Sequence, residues 1–160
     1  MNPKVSILIA NYNNGVFIKA AINSVLIQTH ANWEIIIVDD ASTDKSIEII
    51  SEFSQNEERI KLVRNIKNKG CGYTKHKCVQ LATGKYCGFL DPDDSLDKNA
   101  IRQMINVLEK NKDCSLAYSR LNICDQNLNY LYSSNFATQI RTSSSYLYHK
   151  SGSVSAFAVF

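Results

Sequence analysis

The sequence predicts an α/β domain in which a mainly parallel, open β-sheet is covered by helices on both faces. Short apolar, β-branched runs alternate with segments of helical periodicity in the order β-α-β-α-β-α-β-α-β. This order is typical of parallel sheets with right-handed crossovers. Runs such as "IIIV" are hydrophobic at every position, which is typical of strands that lie between two layers of helices.

The first half of the chain predicts three strands and two helices. Residues 4–10 and 33–40 are the apolar runs of two buried strands, and residues 59–65 alternate apolar and polar side chains as a strand does. Residues 16–28 place apolar side chains at a helical period. Residues 42–54 open with Ser-Thr-Asp, which are helix-capping residues, and continue with the same period.

The second half predicts two more helices and two more strands. Residues 70–84 form a glycine-bounded helix, and residues 85–90 form the next strand. Residues 97–111 form an amphipathic helix, and residues 114–123 are the last strand candidate. The pattern loosens after residue 125. The closing run "SVSAFAVF" is apolar, and we expect it to be an exposed strand that favours self-association.

The composition is that of one globular domain. The chain has 160 residues, of which 44% are hydrophobic, so a core can form. The 18 basic and 15 acidic residues are scattered, which argues against nucleic acid as a partner. The five cysteines include no Cys-x-x-Cys pair, so we expect reduced thiols rather than a zinc site. Apolar runs are shorter than the roughly 20 residues of a membrane helix, and we expect a cytoplasmic protein.

Polar clusters follow three of the predicted strands. They are "NYNN" at 11–14, "DDAS" at 39–42 and "DPDD" at 91–94. Each one alone would be an ordinary turn or cap. Ligands of open parallel sheets bind beyond the carboxyl ends of the strands, however, and all three clusters fall there. We therefore expect the clusters to form one site.

The acids of this edge require a positive partner, because Asp91, Asp93 and Asp94 would otherwise repel one another. Divalent cations such as Mg²⁺ and Mn²⁺ prefer carboxylate and water oxygens. A metal ion held by only one or two aspartates is usually also coordinated by phosphate oxygens of the bound substrate. The sequence therefore predicts a divalent cation together with a phosphate-bearing ligand.

Four segments resemble the successive motifs of family 2 glycosyltransferases, which have the GT-A fold. The segments are "VSILIANYNN", "WEIIIVDDASTD", "NKGCGYTKHKCVQLATGKY" and "GFLDPDD". They place the resemblance over residues 4 to about 112, in the family's order and spacing. The resemblance implies a nucleotide-sugar donor, most often a UDP-sugar, with Mn²⁺ or Mg²⁺. It also implies transfer of a hexosyl group to an acceptor hydroxyl with inversion, in bacterial surface polysaccharide assembly.

The resemblance also implies roles for single positions. Asp39 matches the acid that hydrogen-bonds the uracil ring, Asp40 is its neighbour in the motif, and Tyr12 matches the aromatic residue that packs on the base. Asp93 matches the ligand of the metal between the two phosphates, and Asp91 matches a residue near the ribose or the metal. The remaining donor-pocket positions are Ala10, Asn11, Asn13 and Lys75, the last of which stands where the family often has arginine.

The resemblance places the general base in a later acidic motif, beyond Phe160, so no catalytic residue is assigned. We expect residues 1–125 to be the nucleotide-sugar and metal-binding core. Residues 126–160 would begin an acceptor-side region, in a chain that is a fragment of a longer protein. The acceptor would be a saccharide or a lipid-linked saccharide. The longer protein would then work at the inner face of the membrane, where peripheral membrane association would suit it.

Two alternatives remain open. One is a phosphoacceptor receiver domain, a signalling module in which paired acids bind Mg²⁺ beside a phosphorylated aspartate. That module needs its acid pair on the first strand and a lysine after the fifth, whereas here a strand and a helix precede the pair and residues 114–123 offer only Arg120. The other is a noncatalytic module that binds nucleotide sugars. Titration with UDP and Mn²⁺, compared with labelling by acetyl phosphate, separates the receiver from the transferase.

Overall fold

The fold is a six-stranded sheet with helices packed on both faces, and a separate two-stranded hairpin. The computed structural model describes residues 2–125, 128–134 and 157–160. The strands are β1 (Val5–Asn11), β2 (Trp33–Asp39), β3 (Ile60–Arg64), β4 (Tyr86–Phe89), β5 (Ala117–Tyr118), β6 (Asn122–Cys124), β7 (Tyr130–Ser133) and β8 (Ala158–Val159). The helices are α1 (Ile18–Leu26), α2 (Ser46–Asn56), α3 (Cys71–Leu81) and α4 (Ala100–Lys110).

The first four strands are parallel, as predicted. The strand order in the sheet is β3-β2-β1-β4-β8-β5. The register pairs Asn11 with Asp39 and Asp39 with Arg64, so the carboxyl ends of β1, β2 and β3 are level. Backbone hydrogen bonds extend this edge, since the Asp40 N–H donates to the Asn11 carbonyl at 2.8 Å. The polar residues that follow these strands therefore meet at one edge, as expected.

The core lies on both faces of the sheet because alternate strand residues point to opposite sides. On one face Ile7 and Ile9 pack with Ile22 of α1 and Ile105 of α4. On the other face a smaller cluster contains Leu8, Ile36, Val38 and Cys78 of α3. The unbroken apolar runs of β1 and β2 are explained by this double burial, and the predicted two-sided helix cover is confirmed.

The closing apolar run is the clearest difference from the sequence prediction. Strand β8 is not exposed; it lies between β4 and β5 and runs antiparallel to both. The Cys87 N–H donates to the Phe160 carbonyl at 2.8 Å, and the Phe160 N–H donates back at 2.9 Å. Val159 is fully buried and Phe157 nearly so. The expectation of an exposed apolar strand is therefore wrong, because the sheet uses this run as an interior strand.

The predicted strand over residues 114–123 is divided in two. Strand β5 belongs to the main sheet, whereas β6 pairs with β7 in an antiparallel hairpin that has an irregular register near Ile123. Most of the predicted acceptor-side region, residues 126–127 and 135–156, lies outside the described residues. The domain boundary at residue 125 stays a prediction, although β8 belongs to the same sheet as residues of the first segment.

Candidate functional site

A cavity of about 360 Å³ lies at the carboxyl edge of β1, β2 and β4. Its walls come from the residues that follow these strands, from the loop before α3 and from the first turns of α3. The lining residues are Ala10, Asn11, Tyr12, Asn14, Asp40, Asn68, Gly70, Cys71, Thr74, Asp91, Pro92 and Asp93. The three polar clusters singled out in the sequence thus contribute to one cavity.

Six of the nine predicted site residues line this cavity. They are Ala10, Asn11, Tyr12, Asp40, Asp91 and Asp93. Tyr12 is 47% exposed and lines the cavity, so an aromatic residue is accessible to a ligand there. Asp39, Asn13 and Lys75 are absent from the lining. Asp39 contacts the lining residue Asn11 and Lys75 contacts the lining residue Asp91, whereas Asn13 contacts Ser42 and Thr43.

Asp39 is enclosed behind the cavity wall and is 0% exposed. Its Oδ2 accepts hydrogen bonds from Asn11 Nδ2 at 2.8 Å and from Ser42 Oγ at 2.5 Å. Its Oδ1 accepts a hydrogen bond from the Ser42 N–H at 2.9 Å. In this arrangement the carboxylate orients its neighbours, and the direct contact with a nucleobase that the resemblance implies stays a prediction.

Asn13 joins two loops of the site. It has a φ of 53°, in the left-handed region that asparagine tolerates better than most residues. Its Oδ1 accepts a hydrogen bond from the Thr43 N–H at 2.8 Å, and its own N–H donates to Ser42 Oγ at 2.9 Å. Asn13 therefore fixes the loop after β1 against the loop after β2.

Asp40 fixes the loop that precedes α3. Its carboxylate accepts hydrogen bonds from the Gly70 N–H at 2.7 Å, the Lys69 N–H at 2.9 Å and Asn65 Nδ2 at 2.7 Å. Burial alone would raise the pKa of Asp40, but these hydrogen bonds hold the pKa below its usual value. Gly70 has a φ of 87°, a conformation that a residue with a side chain rarely adopts.

Lys75 supplies the positive partner that the acidic cluster requires. Its Nζ lies 2.9 Å from Asp91 Oδ1. Asp93, by contrast, is exposed, and its carboxylate accepts no hydrogen bond from any residue that the structure describes. Desolvation, followed by repulsion from Asp93 and Asp91, raises the pKa of Asp94. The cluster thus retains unbalanced negative charge around Asp93.

The carboxylates present fit a divalent cation that is shared with a ligand. Over residues 2–125, 128–134 and 157–160, no three His, Cys, Asp or Glu side chains are grouped to hold a metal ion by themselves. Asp91 and Asp93 nevertheless both line the cavity. Mg²⁺-type ions commonly take one or two carboxylates and complete their shell with water and phosphate oxygens. These two aspartates are the residues that would hold such an ion.

Several lining residues were not identified from the sequence. Asn68, Cys71 and Thr74 form part of the wall, and Gly70 was interpreted only as a helix boundary. Asn14 also lines the cavity and was identified only as a member of the polar cluster at 11–14. A signal for two of them was present, because residues three apart at the start of a helix share a face, as Cys71 and Thr74 do. Asn68 follows the third strand, so the strand-end rule that located the other clusters applies to it as well.

The sequence matches one protein-family model and several known proteins. The model of Glycosyl transferase family 2 matches residues 6–160. The chain is 37% identical over 123 residues to the Escherichia coli UDP-Glc:alpha-D-GlcNAc-diphosphoundecaprenol beta-1,3-glucosyltransferase WfgD, covering 77% of this chain and 47% of that protein. The chain spans about half the length of the curated relatives that it matches.

Solved structures show the same fold. TarS of S. aureus, residues 1–349 in complex with UDP-GlcNAc, matches with a TM-score of 0.63 and 26% identity, over 68% of this chain and 32% of that chain. The mannosyltransferase PcManGT of Pyrobaculum calidifontis, in complex with GDP-Man and Mn²⁺, matches with a TM-score of 0.63 and 19% identity, over 68% of this chain and 33% of that chain. At 19% identity, the match to PcManGT supports the fold alone.

Among the described residues, no helix is long and apolar enough to cross a membrane. The structural matches to TarS confirm the expected GT-A fold. With the family model matching nearly the whole sequence and the site at the predicted sheet edge, the chain belongs to glycosyl transferase family 2.

Proposed function

We propose that this chain is the donor-binding part of an inverting glycosyltransferase that moves a sugar from a UDP-sugar to an acceptor hydroxyl. The observation that carries the proposal is the cavity at the carboxyl edge of the sheet, which is lined by the half-exposed residue Tyr12 and by Asp91 and Asp93. A nucleoside diphosphate has a flat base, which can stack on an aromatic ring, and a charged diphosphate, which can share a divalent cation with carboxylates.

Each part of the wall has a distinct task in this proposal. Tyr12 offers a face on which a base stacks. Lys75 neutralises Asp91 and so lowers the repulsion that an incoming diphosphate meets. Asp40 holds in place the loop at Lys69 and Gly70, of which Gly70 lines the cavity. Mn²⁺ or Mg²⁺, when bound by Asp93 and Asp91, would stabilise as a Lewis acid the charge that develops on the departing diphosphate.

The acceptor and the catalytic base belong to the proposal as well. WfgD is named for transfer to a diphosphoundecaprenol-linked sugar. By analogy, we propose a saccharide or lipid-linked saccharide acceptor in polysaccharide assembly, at the inner face of the membrane. The general base that deprotonates the acceptor hydroxyl is proposed to lie beyond Phe160. Family membership removes the support for a receiver domain, while a noncatalytic nucleotide-sugar-binding module remains the second candidate.

Isothermal titration calorimetry with UDP, in the presence and in the absence of Mn²⁺, tests the proposal. We expect UDP to bind with Mn²⁺ and to bind at least tenfold more weakly without it, because the unbalanced carboxylate of Asp93 then repels the diphosphate. ADP serves as the control for base selectivity. Equal affinity in both conditions would remove the metal from the proposal, and no affinity for UDP in either condition would refute it.

A further inference from the structure

One long segment of the chain has no acidic residue. Residues 59–90, which include β3, α3 and β4, contain neither Asp nor Glu. The same segment contains eight basic residues, namely Arg59, Lys61, Arg64, Lys67, Lys69, Lys75, Lys77 and Lys85. Basic residues are scattered over the chain as a whole, but here no acidic neighbour in sequence cancels them. The fold therefore decides where the excess positive charge lies.

Half of these cations are neutralised by carboxylates from outside the segment. The ion pairs are Arg59 with Glu57, Lys61 with Glu34, Lys75 with Asp91 and Lys85 with Glu109. Among the residues that the structure describes, the other four basic residues form no ion pair. We call these four the basic patch: Arg64, Lys67, Lys69 and Lys77.

The fold gathers the basic patch at the carboxyl end of β3. Arg64 is the last residue of β3, and Lys77 Nζ of α3 donates to Oδ1 of the following residue, Asn65, at 2.8 Å. Lys67 and Lys69 lie in the loop that connects β3 to α3. Lys77 is half-buried, whereas the other three members are exposed. The four cations therefore form one positively charged surface.

The acidic residues next to this surface leave it positive. Arg64 Nη2 donates at 3.3 Å to a backbone carbonyl of the loop after β2, which carries Asp44 and Lys45 with opposite charges. Asp39 and Asp40 adjoin the same end of β3 but are buried, so they are not presented at the surface. β3 is also the outermost strand of its sheet, so no other strand of that sheet covers its outer side.

An apolar side chain stands in the middle of the basic patch. Ile66 lies between Arg64 and Lys67 in the chain and is fully exposed. Tyr73 is half exposed, and Lys69 Nζ lies 5.5 Å from the centroid of its ring. A soluble polyanion would contact the cations and leave Ile66 in water. An anionic bilayer offers phosphates to the cations and hydrocarbon to the isoleucine, so the combination favours a lipid surface.

We propose that the basic patch and Ile66 dock this chain on a membrane surface of anionic lipids. The cations contact lipid phosphates, and Ile66 enters the boundary between head groups and acyl chains. Asn68 and Gly70 of the same loop line the cavity, so docking holds the cavity close to the membrane. The purpose of docking, which is to meet a lipid-linked acceptor, rests on the proposed function, whereas docking itself needs neither nucleotide nor metal.

Cosedimentation with lipid vesicles tests the inference, with EDTA present so that no metal ion joins Asp93 to lipid phosphates. Vesicles of phosphatidylcholine with about one third phosphatidylglycerol should bind wild-type protein about tenfold or more tightly than phosphatidylcholine alone, because each basic residue near an anionic surface contributes roughly fivefold. High salt should weaken this binding, because the cations stay exposed to solvent.

Substitutions in the patch locate the contact. Lys67→Glu should weaken binding to the anionic vesicles about tenfold or more, and Ile66→Ser about threefold or more. The matched control is Lys98→Glu, the same charge change at an exposed residue whose carbonyl accepts a hydrogen bond from Thr29 N–H, near the start of β2. The control should bind vesicles like the wild type. All three variants should retain the wild-type affinity for UDP in calorimetry with Mn²⁺.

The wild-type comparison of the two vesicles needs no variant. Equal binding to both, or binding to neither, would overturn the inference. Equal weakening by Lys67→Glu and Lys98→Glu would also overturn it, since the attraction would then belong to the net charge of the protein. Binding to soluble polygalacturonate without binding to vesicles would assign the patch to a soluble polyanion instead. Selective vesicle binding by a protein that binds no UDP would support docking and refute the proposed function alone.

Discussion

The Lys75 ammonium group lies 2.9 Å from the carboxylate of Asp91, whereas Asp93, two residues later, has no such partner among the described residues. The aspartate cluster is therefore divided into a neutralised member and an unbalanced one. An unbalanced carboxylate beside others of the same charge costs stability until a cation arrives. Most substitutions destabilise a protein. Because Asp93 is unbalanced, we expect that its removal does not.

Asp93→Ala should abolish the metal dependence of UDP binding while leaving the fold intact. Without metal, its melting temperature should equal or exceed that of the wild type, because the substitution removes repulsion and breaks no contact. Calorimetry with and without Mn²⁺, together with thermal melting, checks both expectations. Asp113→Ala, at an exposed aspartate outside the cavity, is the control. A large loss of stability in metal-free Asp93→Ala would assign the residue a structural role.

Glu34 should make folding sensitive to acid. It is buried at the edge of the sheet opposite the cavity, where Ser6 Oγ donates to it at 2.7 Å, Lys4 Nζ at 2.9 Å and the Thr83 N–H at 2.7 Å. Burial alone would raise the pKa of Glu34, but these donors outweigh it and lower the pKa from 4.5 to about 2. The stabilisation, about 3 kcal/mol, is complete above pH 4.5 and is lost as the pH falls towards 2.

Urea denaturation of wild-type protein and Glu34→Gln between pH 2 and 7 measures this contribution. We expect the variant to lose about 1–3 kcal/mol at pH 7 and to show a flatter dependence on pH between 2 and 4.5. Glu52→Gln, on the exposed side of α2, should match the wild type. Parallel pH curves for wild type and Glu34→Gln would mean that Glu34 has an ordinary pKa.

Asp40→Ala should loosen the wall of the cavity. The substitution leaves the N–H groups of Lys69 and Gly70 without their acceptor, which costs about 1–3 kcal/mol. Hydrogen exchange should accelerate at these two amides and remain slow at those of β1. UDP affinity should fall in parallel, because the same loop lines the cavity. Unchanged exchange at Lys69 and Gly70 would contradict the assigned role.

Gly88→Ala should destabilise the sheet where β4 meets β8. A Cβ atom at this position would lie 2.7 Å from Phe157 Cε2 and 3.1 Å from Val159 Cγ2, too close for either to stay in place. Overpacking of this kind costs about 1–3 kcal/mol, measurable by denaturant unfolding. Gly72→Ala, where an added Cβ meets nothing within 4 Å, is the control and should be neutral or stabilising. A neutral Gly88→Ala would place Phe157 elsewhere.

The 160-residue chain should bind a UDP-sugar and transfer no sugar to an acceptor. The donor cavity is formed by residues of this chain, whereas the general base is predicted beyond Phe160. Loss of a base and of acceptor positioning together removes many powers of ten in rate. An assay with radiolabelled UDP-sugars and mixed saccharide acceptors checks this. Robust transfer would show that the base lies within the 160 residues.

Local sequence patterns predicted the parts of the fold that depend on neighbouring residues. The unbroken apolar runs of β1 and β2 indicated burial on both faces, and the polar residues after them indicated the edge where a ligand binds. The pair Asp39 and Asp40 shows what such local patterns cannot predict. Adjacent residues leave a strand in opposite directions, so the sequence located the pair but did not show that Asp40 lines the cavity and Asp39 lies behind it.

The place of residues 157–160 shows a second limit, since strand order is a long-range property that local periodicity does not encode. Gly88 of β4 pairs with Val159, far later in the chain, although β5 is synthesised first. As the protein leaves the ribosome, β4 therefore carries an open edge until residues 157–160 emerge, and direct pairing of β4 with β5 would be a kinetic trap. Completion of the sheet is the insertion of a late strand between two earlier ones, and contacts between residues so far apart in the chain form slowly.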